Sequence, residues 1–231
     1  MVDMDSALRQ SMLQYYDERA PDYEEAYLLG TGTSSISDPE LFRAEAAILG
    51  DIVERLSTGR LVDLACGTAF WLPRYAARCS AITLFDQSEN MLAECRKKTL
   101  ALGIADRCSI LRGDFFESRP VLGRFDSALV GFFLSHLTEE QEPLLFDALK
   151  EMLGTSGRFL LFDSAWSPER SRFNAKIERQ PRTLKNGARF EVYKKYCDRK
   201  DIEGWGRTYG LAISIEHFGA AFFAVSGSFL A

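Results

Sequence analysis

Leu61-Val62-Asp63-Leu64-Ala65-Cys66-Gly67-Thr68-Ala69 sets the frame for the rest of the chain. Its first half is an apolar run of strand length, and its second half is a turn of small residues. Four further runs repeat the apolar theme: Ala81 to Asp86, Cys108 to Leu111, Asp126 to Gly131 and Arg158 to Asp163. Helical stretches separate them, such as Glu89 to Leu102, opened by Ser88 as a cap and stopped by Gly103. Apolar strands alternating with helices predict βαβ units and a buried parallel sheet.

Towards the N-terminus, Leu8, Met12 and Tyr15 lie at helical spacing and predict a helix from about Asp5 to Glu18, which Pro21 ends. Gly30 to Ser35 has the composition of a mobile lid. A second helix opens at Asp38-Pro39-Glu40, where a capping side chain, a preset φ and a carboxylate at the positive dipole end coincide. Gly59 ends it. Beyond the fifth apolar run, a helix is expected after Ser167-Pro168-Glu169. Leu211 to Glu216 and Ala221 to Ser226 read as an antiparallel hairpin at the sheet edge. The expected fold is therefore α/β, a Rossmann-like doubly wound sheet with helices on both faces. Residues 1–58 would supply N-terminal helices and the lid. Residues 59–231 would form the core, with a substrate-selecting insertion at about 167–205.

Composition limits the function. With 231 residues, 46% of them hydrophobic and 26% charged, the chain can bury a core without disulfide or metal staples. Five cysteines without a C-x-x-C, and only two histidines, argue against a metal centre and suit a reducing, cytoplasmic setting. No apolar run reaches the roughly 20 residues of a membrane span, and no secretory leader is expected. The net charge of −5 is uneven: residues 170–200 carry +8, leaving −13 elsewhere. An acidic protein is a poor partner for nucleic acid, whereas a local basic patch can receive a carboxylate or phosphate. Arg182, Arg189 and Lys194 are the candidates for that task.

Open parallel sheets bind ligands at the carboxyl ends of their strands. Four such ends carry useful residues here. Ala65 to Ala69 has small residues at alternate positions, so ligand atoms can approach the backbone. Asp86 ends the second strand, where a carboxylate can accept both hydroxyls of a ribose. Gly113-Asp114-Phe115 offers an acceptor beside an aromatic wall. Gly131-Phe132 closes the fourth strand with a small residue and then bulk.

These stretches, with Phe85 to Leu92, Arg112 to Phe115 and Phe125 through Leu137, resemble the class I S-adenosylmethionine-dependent methyltransferases of small-molecule type. The likeness covers about residues 60–163, and more loosely Tyr15 to Tyr23. It implies a seven-stranded sheet with the last strand antiparallel, S-adenosyl-L-methionine as cofactor, and a small anionic or phenolic methyl acceptor. Carried over by residue, Asp63, Ala65, Cys66, Gly67 and Thr68 would hold the methionine part of the cofactor. Asp86 would grip the ribose, Gln87 and Met91 would border the adenine, and Asp114 would accept from the adenine amine beside Phe115. Tyr16, Arg19, Gly113, Gly131 and Phe132 complete the candidate cofactor contacts. Ala69 departs from the third glycine of the usual loop and implies a slightly wider helix–strand spacing.

An activated methyl group needs alignment more than acid–base chemistry. His136, Tyr16 and Tyr23 are the candidates for catalytic roles, His136 as a base if the acceptor must lose a proton. Two other readings compete. A non-catalytic relative would keep the nucleoside pocket without turnover. A nicotinamide-dependent oxidoreductase would share the strand–turn–helix, but its G-x-G-x-x-G reads Ala65, Gly67 and Phe70 here.

Overall fold

A computed structural model describes residues 5–25, 28, 36, 38–116, 123–168, 170 and 175–230. The Gly30–Ser35 stretch expected as a lid lies outside them. Helix α1 spans Ser6–Arg19, and its N-cap Asp5 accepts the Leu8 N–H at 2.8 Å. A short 3₁₀ turn at Ala20–Asp22 comes next, with Pro21 inside it. Helix α2, Pro39–Leu56, starts as read: Asp38 accepts from the Glu40 and Leu41 N–H groups. The chain continues through β1 (Gly59–Leu64), α3 (Leu72–Tyr75), β2 (Cys79–Asp86), α4 (Glu89–Ala101), β3 (Cys108–Arg112) and β4 (Ser127–Gly131). It ends with α5 (Gln141–Leu153), β5 (Arg158–Ser164), β6 (Ile177–Thr183), β7 (Arg189–Lys195), α6 (Arg199–Tyr209), β8 (Leu211–Phe218) and β9 (Phe222–Phe229).

Seven strands form one sheet in the order β3-β2-β1-β4-β5-β9-β8. β1 to β5 pair in parallel, and β9 runs antiparallel to both β5 and β8. Strand order reverses between β1 and β4, so a crevice opens at their carboxyl ends. Alternation along the strands divides the core into two layers. Val62 and Leu64 face Phe146, Leu149 and Trp205 on one side, while Leu61 shares the other with Leu49 and Val53 of α2.

One carboxylate stitches the C-terminal hairpin to α2. Glu45 is 5% exposed and accepts from the backbone N–H groups of Ala220, Ala221 and Phe222, while His217 Nε2 lies 3.1 Å away. Those bonds hold the carboxyl below its ordinary range although burial opposes them. Arg170, also buried, donates to the carbonyls of Ala165 and Ala221, and its guanidinium stacks over Tyr196.

The basic segment departs from expectation. Glu169 and residues 171–174, where the expected helix would begin, lie outside the described residues, and the next described element is the β6–β7 hairpin, a separate two-stranded sheet. Its turn carries Asn186-Gly187, with Gly187 at φ +85° and Asn186 Oδ1 accepting the Ala188 N–H. That dipeptide favours the left-handed turns that join two strands. Helix α6 is a further element absent from the sequence reading, although Asp198 and Asp201 form a capping box and Gly210 ends the helix at φ +62°.

Candidate active site

The turn after β1 alternates into the left-handed region: Ala65 at φ 52°, Gly67 at 55° and Ala69 at 53°. Non-glycine residues hold that conformation only under constraint, and such constraint gathers at functional sites. Phe132, at the end of β4, is the third described non-glycine residue of this kind, at φ 57°. Hydrogen bonds fix the turn to its neighbours. The Cys66 N–H donates to the Phe85 carbonyl, and the Gly67 N–H donates to Asp86 Oδ2 at 2.9 Å. Asp86 Oδ1 accepts the Ser88 N–H at 2.9 Å. Burial raises the Asp86 carboxyl above its ordinary value, and these N–H bonds oppose the rise.

Asp63 lies below the turn, 4% exposed, and accepts from the Tyr75 hydroxyl at 2.7 Å. Burial pushes its carboxyl up to about 7 against that bond. Its observed partner is therefore the fold, and it braces the turn from beneath. Met91 is buried, with its N–H on Ser88 Oγ at 3.1 Å. The Gln87 carbonyl accepts from Arg112 Nε at 3.2 Å. A Cβ on Gly113 would meet the Phe85 ring at 3.0 Å, and Phe115 is buried beside Phe116 and Phe133. A Cβ on Gly131 would fall 2.5 Å from the Phe162 ring, so this glycine makes room for an aromatic neighbour. The Phe132 ring packs against Phe162 and Phe222.

Sequence reasoning did not find how α1 and the turn after it clasp these strand ends. Arg9 donates to Asp114 Oδ2 at 2.7 Å, while Asp114 Oδ1 accepts the Phe116 N–H at 2.8 Å. Asp17 accepts from Ser88 Oγ at 2.6 Å and from the Asn90 side chain at 2.7 Å, at the start of α4. Glu24 accepts from Thr68 Oγ1 at 2.7 Å and pairs with Lys98, whose ammonium also donates to the Ala69 carbonyl. The Tyr23 ring covers the turn itself: a Cβ on Gly67 would meet it at 3.4 Å. The Arg19 guanidinium lies 5.1 Å from the Tyr23 ring centroid and 5.7 Å from that of Tyr15.

Next to this clasp stands a second cluster. Tyr16 Oη lies 2.7 Å from His136 Nε2, and His136 Nδ1 lies 2.8 Å from the Tyr193 carbonyl. A carbonyl only accepts, so Nδ1 carries the proton and Nε2 of the neutral ring accepts from Tyr16. Burial first, then the nearby Lys194 charge, holds His136 well below the ordinary imidazole value. Burial likewise pushes the Tyr16 phenol up.

Lys194, 8% exposed, donates to Ser135 Oγ at 2.6 Å and lies 3.5 Å from Asp163 Oδ1. Strand alternation separates the three basic candidates. Arg182 pairs with Phe190 across the hairpin and shares the face of Lys194, and its charge is felt by Tyr16, His136 and Lys194. Arg189 lies on the opposite face. There it lines an outer groove of about 360 Å³ with Arg179, Pro181, Glu191 and Asp5. The structure thus unites Arg182 and Lys194 and leaves Arg189 outside their cluster. Among the described residues, no group of three or more His, Cys, Asp or Glu could hold a metal ion.

A sheet of this strand order, with its last strand antiparallel and a constrained turn at the switch point, defines the class I methyltransferase fold. Residues 61–157 match the family model described as a methyltransferase domain. The solved DhpI-SAM-HEP complex is 19% identical, with a TM-score of 0.78, covering 97% of this chain and 99% of that one. An S-adenosylmethionine-dependent methyltransferase from Clostridium acetobutylicum ATCC 824 is 14% identical, with a TM-score of 0.63 and coverage of 93% and 99%. The glycopeptide N-methyltransferase MtfA complexed with sinefungin is 15% identical, with a TM-score of 0.57 and coverage of 78% and 91%. No curated protein matches the sequence.

Proposed function

We propose that the chain transfers the methyl group of S-adenosyl-L-methionine to a small anionic acceptor, in the cytoplasm, chiefly by holding the two in line. The cofactor, when bound, supplies an electrophilic sulfonium methyl. The residues present fit it: Gly67 and its neighbours bring backbone to the strand ends, and Asp86 offers a half-buried carboxylate there. Asp86 would hold the ribose, Met91 and Phe115 would border the base, and Asp114 would accept from its amine. Arg19, Tyr23 and the Ala65–Thr68 turn would hold the amino-acid end.

One observation carries the acceptor class: the buried Lys194 ammonium stands with Arg182 beside the Tyr16–His136 pair. Lys194 already has one counter-charge in Asp163 at 3.5 Å, and an anionic acceptor would add a second on the face of the hairpin that carries both cations. His136 bears on the choice between a carboxylate-like and a phenolic acceptor. A ring kept neutral far below the ordinary imidazole value is a poor proton acceptor, and a general base works best near the operating pH. Here His136 orients the Tyr16 hydroxyl, and an acceptor already ionised needs no base. The β6–β7 hairpin, within the proposed selecting insertion, supplies both cations. Nucleic acid does not suit so small a cluster on an acidic protein.

Titration calorimetry with S-adenosylhomocysteine, followed by turnover assays on small carboxylates, phosphonates and phenols, tests the reading. Micromolar product binding and turnover favouring the anions are expected. No binding at millimolar concentration sinks the cofactor assignment, and preferential turnover of phenols sinks the acceptor class.

A further inference from the structure

Asp163, at the carboxyl end of β5, is 1% exposed, yet nothing about its place in an apolar strand explains a charge. Its oxygens are shared among three groups. Oδ2 accepts the Ser135 N–H at 2.8 Å, Oδ1 accepts the Ser164 N–H at 2.7 Å, and Oδ1 also lies 3.5 Å from Lys194 Nζ. Lys194 closes the circuit with its 2.6 Å bond to Ser135 Oγ. Ser135 sits in the 3₁₀ turn Leu134–His136, one residue before His136. Asp163 therefore contacts both the turn that bears His136 and the hairpin strand that bears Lys194, two elements 57 residues apart at the His136–Tyr193 bond.

We propose that Asp163 is a positioning residue of the acceptor site, tying the Lys194 ammonium to the turn that carries His136. This rests on the anionic-acceptor reading above and assigns a role within it. Burial alone drives Lys194 towards its neutral form, and Asp163 opposes that most strongly. The other groups facing Lys194 are the Tyr196 phenol, the Arg170 and Arg182 guanidiniums, neutral His136 and, directly across the hairpin, Glu178, whose carboxylate accepts the Gln180 amide. Both guanidiniums work against its charge. Without Asp163, Lys194 would lose its proton at lower pH, and the acceptor would lose its cation.

The test is Asp163→Asn, which keeps size and one acceptor oxygen, assayed with a carboxylate or phosphonate acceptor across pH. The acceptor KM at neutral pH is expected to rise about tenfold, with the alkaline limb of kcat/KM displaced to lower pH by about 1. The saturating kcat and S-adenosylhomocysteine affinity should hold. An unmoved alkaline limb, with a lower Tm and weaker product binding, overturns the proposal in favour of a purely structural role. Ser135→Ala is the second probe, since it removes the hydroxyl partner of Lys194 and keeps the N–H on Asp163. Its KM should rise about threefold with the limb in place. A limb displaced in Ser135→Ala as far as in Asp163→Asn overturns the proposal, because Ser135 would then be what keeps Lys194 charged. If the unaltered protein turns over no anionic acceptor, the functional reading fails and takes this role with it. Normal turnover with an unaltered Asp163→Asn profile removes only Asp163.

Discussion

The Tyr16 hydroxyl donates to His136 Nε2 over 2.7 Å, joining the first helix of the chain to the turn after β4. The two residues are 120 positions apart, and the Tyr193 carbonyl on the far side of the ring decides which nitrogen bears the proton. The direction of that bond is thus set by a strand of the hairpin.

Tyr16→Phe keeps the ring and removes the donor. Its kcat is expected to fall about 10- to 100-fold with S-adenosylhomocysteine affinity within about twofold, read by steady-state kinetics and calorimetry. Because burial depresses His136, its ring should show no titration between about pH 5 and 8 by NMR. The linked stability is present above the ordinary imidazole value near 6.5 and is lost as pH falls towards the depressed one. An inflection near neutrality would show a solvated ring instead.

Arg9 and Asp114 form an ion pair at 2.7 Å with side chains 36% and 18% exposed. A partly exposed pair contributes little, so Arg9→Gln should cost less than about 1 kcal/mol in denaturant unfolding. It also releases the carboxylate assigned to the adenine amine. S-adenosylhomocysteine affinity is expected to rise two- to fivefold, roughly the worth of one competing contact. A fall in affinity would mean that Arg9 helps to hold the ligand.

Asp63 keeps its proton in the folded state up to about pH 7, whereas an unfolded aspartate releases it near 4. Its contribution to stability is complete below the unfolded value and drains away as pH rises through about 7. Asp63→Asn should remove that dependence, flattening the decline in unfolding free energy between about pH 4 and 7 by an amount on the order of 2–4 kcal/mol. Equal slopes in both proteins would place the titration elsewhere.

What the sequence disclosed depends on how each element is stabilised. β1, β2, β4 and β5 are buried strands of a parallel sheet and therefore continuous apolar runs, and α2 announces itself through Asp38-Pro39. The strand Ile177–Thr183 reads Ile-Glu-Arg-Gln-Pro-Arg-Thr, without an apolar alternation, and only Asn186-Gly187 betrays the hairpin. Composition could not separate Arg189 from Lys194, because pairing register decides which side chains turn inward. Asp163 and Glu45 were silent for a different reason. Asp163 stands at the end of an apolar strand and Glu45 inside an amphipathic helix, and their long-range partners lie 28 or more residues away.

The hairpin hangs between β5 and α6 outside the seven-stranded ladder, so its strands can be rewritten without cutting a bond of the main sheet. Its turn is a ratchet with two settings. Adding one residue between Leu184 and the start of β7 would slide that strand by a single step, and the parity of every later position would invert. Arg189 and Glu191 would then exchange sides with Lys194, and an unchanged inventory of charges would greet a different guest.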